Sequence, residues 1–297
     1  MPELPEVHAL AADLSARLAG RTIERVQPVA VSALKTFDPP ASALDGRTVR
    51  AVGRHGKFLD LETDPAPSAA GPGGGPLHLV VHLARAGWIR WRQARPAAPA
   101  RPGAGPLAAR LILDDGSGLD ITEAGTKKSL ALYVVRDPEE VPGIARLGPD
   151  PLAEDYTADR FAALLAASGR AQIKGVLRDQ ANIAGIGNAY SDEILHAARM
   201  SPFKPAAMSR EDSDRLFEAM RATLRDAVAR AEGLAASELK REKRSGLAVH
   251  GRTGEPCPVC GDTIRQVVFA DSTLQYCPTC QTGGRPLADR ALSRLLK

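Results

Sequence analysis

The chain changes character near residue 150, and that change separates a β-rich part from a helical part. Before it, short runs rich in β-branched and aromatic residues are separated by Gly, Pro and Asp: TIERVQP, TVRAVG, KFLDLE, LHLVVHL, GWIRW, ARLILDDG, GLDIT and LALYVV. Eight short runs of this kind predict an antiparallel sandwich or barrel. Apolar residues at helical spacing, from Val7 to Leu18, predict a leading helix that stops at Gly20.

Four helical patterns follow the boundary: ADRFAALLAAS, QIKGVLRDQ, AYSDEILHAARM and a long one that ends near Val228. Two stretches rich in Pro, Gly and Ala, residues 64–76 and 94–106, predict loops inside the β-rich part. The sequence therefore predicts an α+β fold whose β domain covers residues 1–149.

The net charge of +4 is confined to one end of the chain. Residues 237–297 hold ten Lys or Arg against six Asp or Glu, so the preceding 236 residues balance to zero. A basic C-terminal region suits a polyanion-binding surface, although a solvated charged face is the commoner meaning of such a count. No apolar run of about 18 residues predicts a membrane span, and no export signal is evident. We expect a cytoplasmic protein.

All four cysteines lie in two CPxC pairs, CPVC (257–260) and CPTC (277–280), with sixteen residues between them. This is the spacing of a four-cysteine zinc ribbon, in which two knuckles at the ends of a hairpin present sulfurs tetrahedrally. Two disulfides are the alternative, and a cytoplasmic location disfavours them. We therefore predict one structural zinc ion, held by Cys257, Cys260, Cys277 and Cys280.

Between two helical patterns lies the stretch IAGIGN, residues 183–188. Gly185 and Gly187 allow a compact double turn with exposed backbone amides, and Asn188 begins the next helix, where it suits both capping and anion binding. A helical hairpin with an ordinary cap is the alternative. The stretch is not a nucleotide phosphate loop, because no Lys-Ser/Thr follows the glycines and no strand precedes them. We expect no nucleotide cofactor.

The first seven residues, MPELPEV, allow two hypotheses. In the structural one, Pro2 and Pro5 stiffen the entry to the first helix, and Glu3 and Glu6 stabilise the positive end of that helix. In the chemical one, a proline amine and two carboxylates form a reactive centre. These seven residues alone favour the structural hypothesis.

Four segments together, MPELPEV, RHGKF, QIKGVLRDQANIAGIGNAYSDE and GRTGEPCPVCGD…YCPTCQ, resemble the formamidopyrimidine-DNA glycosylase/endonuclease VIII family of DNA repair enzymes, in the same order and at the same spacing. The resemblance implies an N-terminal antiparallel β-sandwich with a leading helix (1–149), a helix–two-turns–helix DNA-binding domain (150–250), a four-cysteine zinc finger (251–282) and a helical tail (283–297). It implies that damaged DNA binds between the domains, and we expect a monomer associated with the bacterial nucleoid.

The resemblance also implies roles for individual residues. After removal of Met1, the amine of Pro2 attacks C1′ of a damaged nucleotide, expels the base and forms a Schiff base, and β- and δ-elimination then cut the strand. Glu3 is the acid/base and Glu6 supports the geometry of the amine, while Lys57 matches a phosphate-contacting lysine of the family. The DNA-contacting candidates are Asn188, Lys174, Gly185, Gly187, Arg252, Arg265 and Arg85.

Several positions depart from the family pattern. Ser272 stands where the finger hairpin usually carries an arginine, which Arg265 or Arg252 would have to replace. Arg85 takes the place of the methionine wedge that fills the gap left by a flipped base. The remaining departures are Thr126, Lys127 and Lys128 in the second wedge loop, His250 before GR, and the basic stretch 239–247 in place of a longer lesion-covering loop.

These departures leave the lesion open. A weakened wedge favours lesions that flip easily, such as oxidised pyrimidines, abasic sites or damage in unpaired DNA, and a slimmer lid leaves room for a bulky adduct or crosslink. Besides the bifunctional glycosylase and abasic-site lyase, two alternatives stay open: a lyase or glycosylase for an unusual lesion, and a non-catalytic damage-binding protein. The tail contributes packing or phosphate contacts through Arg285, Arg290, Arg294 and Lys297.

Overall fold

The structure is a computed structural model that describes residues 1–65, 74–94, 103, 105–269 and 272–287. It divides into two compact units, Met1–Arg146 with Ala231–Lys240, and Leu147–Arg230 with Arg241–Lys297. The sequence placed residues 231–240 in the helical domain, but their contacts lie in the first unit: the indole Nε1 of Trp88 donates to the carbonyl of Ala236 at 3.0 Å. Residues 288–297, most of the predicted tail with Arg290, Arg294 and Lys297, lie outside the described residues.

The first unit contains two antiparallel four-stranded sheets, as the eight β-rich runs predict. One sheet has the order β1-β6-β7-β5 and the other β2-β3-β4-β8. The strands are β1 (Ile23–Pro28), β2 (Val49–His55), β3 (Phe58–Thr63), β4 (His78–His82), β5 (Gly87–Arg92), β6 (Leu107–Leu113), β7 (Gly118–Glu123) and β8 (Ala131–Val135). Short 3₁₀ helices lie at Val31–Ala33, Ala41–Leu44 and Pro138–Glu140.

Helix α1 (Leu4–Leu18) packs on this β structure because its apolar residues recur at helical spacing. Val7, Leu10 and Leu14 on this helix and Leu59 and Leu61 on β3 belong to one buried core. The alternation along β3 sends the leucines inward and leaves Asp60 for the other face of the sheet. The helix therefore starts, at Leu4, from a well-packed position on the first unit.

The second unit begins with helices and ends with a small hairpin. Its helices are α2 (Ala158–Ser168), α3 (Ile173–Arg178), α4 (Asn188–Ala197), α5 (Arg210–Ala231) and α6 (Leu239–Gly246), the last two being assigned partly to the first unit. The hairpin consists of β9 (Arg265–Val268) and β10 (Thr273–Tyr276), followed by α7 (Pro278–Thr282). The basic stretch 239–247, which stands in place of a longer family loop, forms α6 over Leu239–Gly246, and no glycine or proline interrupts it before Gly246.

Aromatic packing organises the helical core. The rings of Tyr156, Phe161 and Phe217 meet with centroids 5.7–6.5 Å apart. Thr157 caps α2 by accepting from the amide of Arg160, so each end of this short helix is defined locally. Among the described helices, none is both long enough and apolar enough to cross a membrane.

Candidate functional site

The N-terminal residues form a reciprocal capping box. Glu3 is the N-cap of α1, its carboxylate accepts from the backbone of Glu6, and its own amide donates to Oε2 of Glu6 at 2.8 Å. The side chains of both glutamates also favour the positive end of the helix. Pro2 is buried, while Glu3 is 2% and Glu6 3% exposed. Two carboxylates are therefore fixed directly beside Pro2.

The capping box agrees with the structural hypothesis for MPELPEV, yet capping alone does not require this burial. A helix cap needs one side-chain oxygen, which a solvated Ser or Asp supplies, whereas burying a carboxylate carries a desolvation cost. Met1 is 48% exposed. While Met1 is attached, the nitrogen of Pro2 is part of an amide. Removal of Met1 converts that nitrogen to a secondary amine.

Lys57 lies in the turn between β2 and β3, after Gly56, whose φ of +53° gives the left-handed conformation that the turn needs. The predicted strand KFLDLE begins at Lys57, whereas β3 begins one residue later, at Phe58, and Lys57 is only 8% exposed. Burial lowers the pKa of His82 to about 4, and the Lys57 ammonium acts in the same direction. His82 is therefore a neutral neighbour of this lysine at pH 7.

Arg85 lies exposed in the tight turn that follows β4. Ala84 has a φ of +50°, unusual for a residue with a side chain, and the amide of Gly87 donates to the carbonyl of Leu83 at 2.8 Å. A Cβ on Gly87 would lie 2.1 Å from that carbonyl oxygen, so only glycine fits there. The turn therefore presents Arg85 from a tightly constrained backbone.

The second wedge loop is ordered by a buried carboxylate. Glu123 accepts from the amides of Ser129 at 2.8 Å and Leu130 at 3.0 Å, and Lys128 donates to the carbonyl of Glu123 at 2.6 Å. This leaves the exposed side chains of Thr126 and Lys127 on a loop whose two ends are joined.

In the second unit, one glutamine organises the glycine turn. Gln180 Nε2 donates to the carbonyl of Ile186 at 2.7 Å, and its Oε1 accepts from the amide of Gly185 at 3.0 Å. Gly185 has a φ of +91°, and Gly187 is the N-cap residue of α4. The sequence did not single out Gln180, although a glutamine beside a glycine turn carries both the donor and the acceptor that such a turn needs.

Asn188 is the first residue of α4 and does not cap it, since the cap position belongs to Gly187 and no side chain caps this end. Its Nδ2 donates to the carbonyl of Thr273 in the hairpin at 2.7 Å. Its buried Oδ1 has no hydrogen-bond partner among the residues that the structure describes. The side chain thus lies against the finger, at the positive end of a ten-residue helix.

Lys174, a DNA-contacting candidate by resemblance, is buried in the structure. It is 5% exposed, and its ammonium donates to Asp192 at 2.6 Å and Ser191 at 2.7 Å. Asp192 is 1% exposed, and a carboxylate buried so deeply needs a cation close to it. The geometry makes Lys174 a structural partner of Asp192.

The four cysteines meet as the zinc prediction requires. Their sulfurs lie within 4.8 Å of one another, with separations of 3.3 Å for Cys260–Cys277 and 3.9 Å for Cys257–Cys280. Zn–S bonds of about 2.3 Å in a tetrahedron need sulfurs about 3.8 Å apart, whereas disulfides need about 2.05 Å. Burial raises the pKa of the Cys277 thiol to about 11, so metal binding is expected to release protons. The donor set fits one structural zinc ion.

The finger arginines are not at the hairpin tip. Arg265 begins β9 opposite Tyr276, about 10 Å along the strand from Val268, where the turn begins. Arg252 is paired with Glu255 at 2.7 Å. Neither residue therefore occupies the place of an arginine at Ser272.

Three family models match successive parts of the chain. The formamidopyrimidine-DNA glycosylase N-terminal domain matches residues 1–126, the formamidopyrimidine-DNA glycosylase H2TH domain matches residues 147–238, and the zinc finger found in FPG and IleRS matches residues 254–283. The formamidopyrimidine-DNA glycosylase of Heliobacterium modesticaldum is 34% identical over 292 residues, which cover 95% of this chain and 100% of that protein. The chain belongs to the formamidopyrimidine-DNA glycosylase family.

Other relatives agree with this assignment. An uncharacterized formamidopyrimidine-DNA glycosylase-like protein of Mycobacterium tuberculosis is 60% identical over 152 residues, 51% of this chain and 94% of that protein. The crystal structure of a MutM (Fpg) protein from Thermus thermophilus matches with a TM-score of 0.76 and 32% identity, over 96% of this chain and 100% of that one. The Lactococcus lactis enzyme non-covalently bound to DNA with an abasic site matches with a TM-score of 0.77 and 26% identity, over 94% and 99% of the two chains.

The predicted resemblance and α+β fold are confirmed, and this family member is a zinc-finger DNA glycosylase of base excision repair. The parts of the site that the sequence predicted fall into two sets. Pro2, Glu3, Glu6 and Lys57 lie in the first unit, and Asn188 with the glycine turn and the cysteines lies in the second.

Proposed function

We propose that this glycosylase is bifunctional, removing a damaged base and then cutting the strand through a Schiff base formed by Pro2. The observation that carries the proposal is the capping box, which fixes two buried carboxylates beside the residue that becomes the N-terminal amine. An α-amino group titrates near about 7.7–8.0, so a useful neutral fraction exists at physiological pH.

In the glycosylase step, the lone pair of the Pro2 nitrogen forms a bond to C1′ of the damaged nucleotide. The C1′–N bond to the base breaks, and the base leaves with the electron pair of that bond. The proton that the Pro2 nitrogen loses after its attack passes to the leaving base. Glu3, within the same short segment, delivers a proton to O4′ as the sugar ring opens and the C1′–N bond to Pro2 becomes an iminium. Glu6 holds the amide of Glu3 and thereby fixes its position.

In the lyase step, a base removes a proton from C2′, which the iminium acidifies. The electron pair forms a C2′–C3′ double bond, and the 3′ phosphate leaves with the electrons of its C–O bond. A second elimination expels the 5′ phosphate, and hydrolysis of the iminium frees Pro2. Glu3 is the acid/base at hand for these transfers, since it is the residue next to the nucleophile.

Phosphate binding completes the proposal. Lys57 supplies a cation from the first unit, while Asn188, directly after the glycine turn, supplies a donor at the positive end of α4. One N–H of Asn188 Nδ2 donates to the carbonyl of Thr273, so the other N–H of this amide is the donor that we assign to a phosphate. Arg265 and Arg252 add positive charge to the finger without replacing a tip arginine.

Arg85 in the wedge position favours lesions whose nucleotide flips out of the DNA helix at a low free-energy cost. These are oxidised pyrimidines, abasic sites and damage in unpaired DNA. An apolar wedge fills the gap and offsets the stacking energy that is lost when a base flips out. A guanidinium instead stacks on a base or donates hydrogen bonds to it. The same feature favours a second candidate function, an abasic-site lyase that performs the strand cleavage without base removal.

The test is borohydride trapping on duplex DNA that carries one abasic site, with Met1 removal verified by intact mass. The processed enzyme should give a covalent adduct that maps to the N-terminal peptide. A version with a short N-terminal extension, which keeps the Pro2 nitrogen acylated, should bind the DNA and give no adduct. Glu3→Gln keeps an acceptor for the capping box, so its turnover should fall about 100- to 10,000-fold without unfolding.

An adduct on an internal lysine would overturn the role of Pro2. No adduct from processed protein that binds the DNA would leave a damage-binding protein as the better description. Trapping on abasic DNA without release of any base from a panel of oxidised substrates would select the lyase candidate.

A further inference from the structure

One face of α4 is polar, buried and directed at the finger. Asp192, Glu193 and His196 follow Asn188 by four, five and eight residues, a spacing that places all four on the same side of a helix. Asp192 is 1%, Glu193 7% and His196 5% exposed. Neither the proposed chemistry nor the zinc ligand set uses these three side chains.

The middle of this face holds the segment that leads into the finger. Glu193 accepts from the backbone amides of residues 248, 249 and 250 at 2.7–3.0 Å. Asp192 accepts from the Nδ1 of His250 at 2.7 Å and from the amide of Gln275 in β10 at 3.1 Å. Helix α4 is therefore hydrogen-bonded both to residues 248–250, which precede the first cysteine pair, and to β10, which leads to the second pair.

The far end of the face reaches the metal site itself. Nε2 of His196 lies 3.2 Å from Sγ of Cys257, and Cys257 is only 3% exposed. A zinc-bound cysteine is a thiolate, which carries no proton and can only accept. The hydrogen of this contact therefore lies on the imidazole, which donates an N–H···S bond to a zinc ligand.

We infer that His196 is a positioning residue of the zinc site: its N–H···S bond orients the Cys257 thiolate and slows the loss of zinc. Groups that hydrogen-bond to metal ligands typically change metal affinity 10- to 100-fold when they are removed. His196 stays outside the four ligands, because the sulfurs already provide a complete tetrahedral set.

The same face links the zinc site to Asn188. Eight residues of helix separate His196 from Asn188, about 12 Å, and Asn188 donates to Thr273 of the hairpin at 2.7 Å. Loss of the metal is therefore expected to disturb the hairpin that Asn188 contacts. This link to DNA rests on the proposed phosphate role of Asn188, whereas the zinc inference does not.

The experiment measures zinc retention by the full-length holoenzyme in competition with a chromophoric chelator. His196→Phe removes the donor and should release zinc 10- to 100-fold more readily. His196→Gln places an amide N–H near the position of Nε2 and should restore retention to within a few-fold of wild type. His196→Asn has similar polarity but is too short to reach Cys257, and should behave like the phenylalanine variant.

A second readout separates this role from general stability. In cobalt-substituted protein, loss of a hydrogen bond to a thiolate raises the energy of its lone pairs, so the sulfur-to-cobalt charge-transfer band should shift to longer wavelength in His196→Phe and return in His196→Gln. Leu195→Ala, in the helical core, destabilises the same helix and should leave the band unchanged.

Wild-type retention and an unchanged band in His196→Phe would overturn the inference. So would Leu195→Ala releasing zinc as fast as His196→Phe, because zinc loss would then follow helix stability alone. Both readouts need neither DNA nor lyase activity, so they stand or fall independently of the proposed function.

Discussion

Replacing Lys174 by methionine should destabilise the second unit strongly. The substitution keeps most of the side-chain volume and removes the charge that lies 2.6 Å from Asp192, a carboxylate 1% exposed. Removing one partner of a buried pair typically costs about 3–5 kcal/mol. The amide of Gln275 and the imidazole of His250 still donate to Asp192, so the lower end, about 3 kcal/mol, is expected.

Thermal and urea unfolding measure this loss, which corresponds to about 6–12 °C in a chain of this size. Lys204→Met is the matched control, because Lys204 also pairs with one carboxylate, Asp212 at 2.5 Å, but is 34% exposed. That variant should lose less than about 1 kcal/mol. Equal losses in the two variants would refute the buried-pair argument. A stable Lys174→Met protein with weaker, less salt-dependent DNA binding would instead restore the DNA contact that the sequence suggested.

Three further perturbations test other parts of the structure. Gly87→Ala places a Cβ 2.1 Å from the Leu83 carbonyl and should cost about 3 kcal/mol or more, seen as a lower urea midpoint. Gln180→Ala removes both bonds that close the glycine turn and should cost about 2–3 kcal/mol in the same assay. Burial opposes protonation of His78, but the hydrogen bond to Asp60 outweighs burial and raises the pKa of the imidazole. Protonated His78 therefore stabilises the folded state at low pH, and this stabilisation is lost as the pH rises. Thermal melts should therefore show His78→Gln to be more damaging at about pH 6 than at about pH 9.

Local patterns predicted most of the fold. Short β-rich runs bounded by turn residues predicted the eight strands that the structure describes in the first unit. The spacing of the two CPxC pairs predicted the zinc site, since a knuckle is a local structure and the hairpin between the pairs is short. In both cases the pattern that predicts the element lies within a short stretch of sequence.

Contacts between distant residues explain what the sequence could not predict. The resemblance named Lys174 as a DNA-contacting candidate, and nothing in the sequence showed its ion pair with Asp192, eighteen residues away. The position of Asn188 at a helix start suited a cap or an anion-binding residue. In the structure its side-chain Nδ2 donates to the carbonyl of Thr273, eighty-five residues further along. Residues 231–240 join the first unit through Trp88, 148 residues earlier. Only the folded chain shows which partner each polar group has.

The N-terminal segment shows why structural and chemical interpretations of one motif need not compete. A capping box places two carboxylates within one turn, so the feature that starts α1 also fixes Glu3 beside Pro2. The contacts that hold this segment are local, but seven letters of sequence favoured only the structural hypothesis, and the chemical roles of Pro2, Glu3 and Glu6 were predicted from the resemblance of four segments to one family. The zinc site, in contrast, depends on α4 for the orientation of Cys257 through His196. Changes in the finger are therefore expected to weaken DNA binding more than they slow the chemistry of the first unit. The reason is that Asn188 lies on the same face of α4 as His196, and both residues contact the finger.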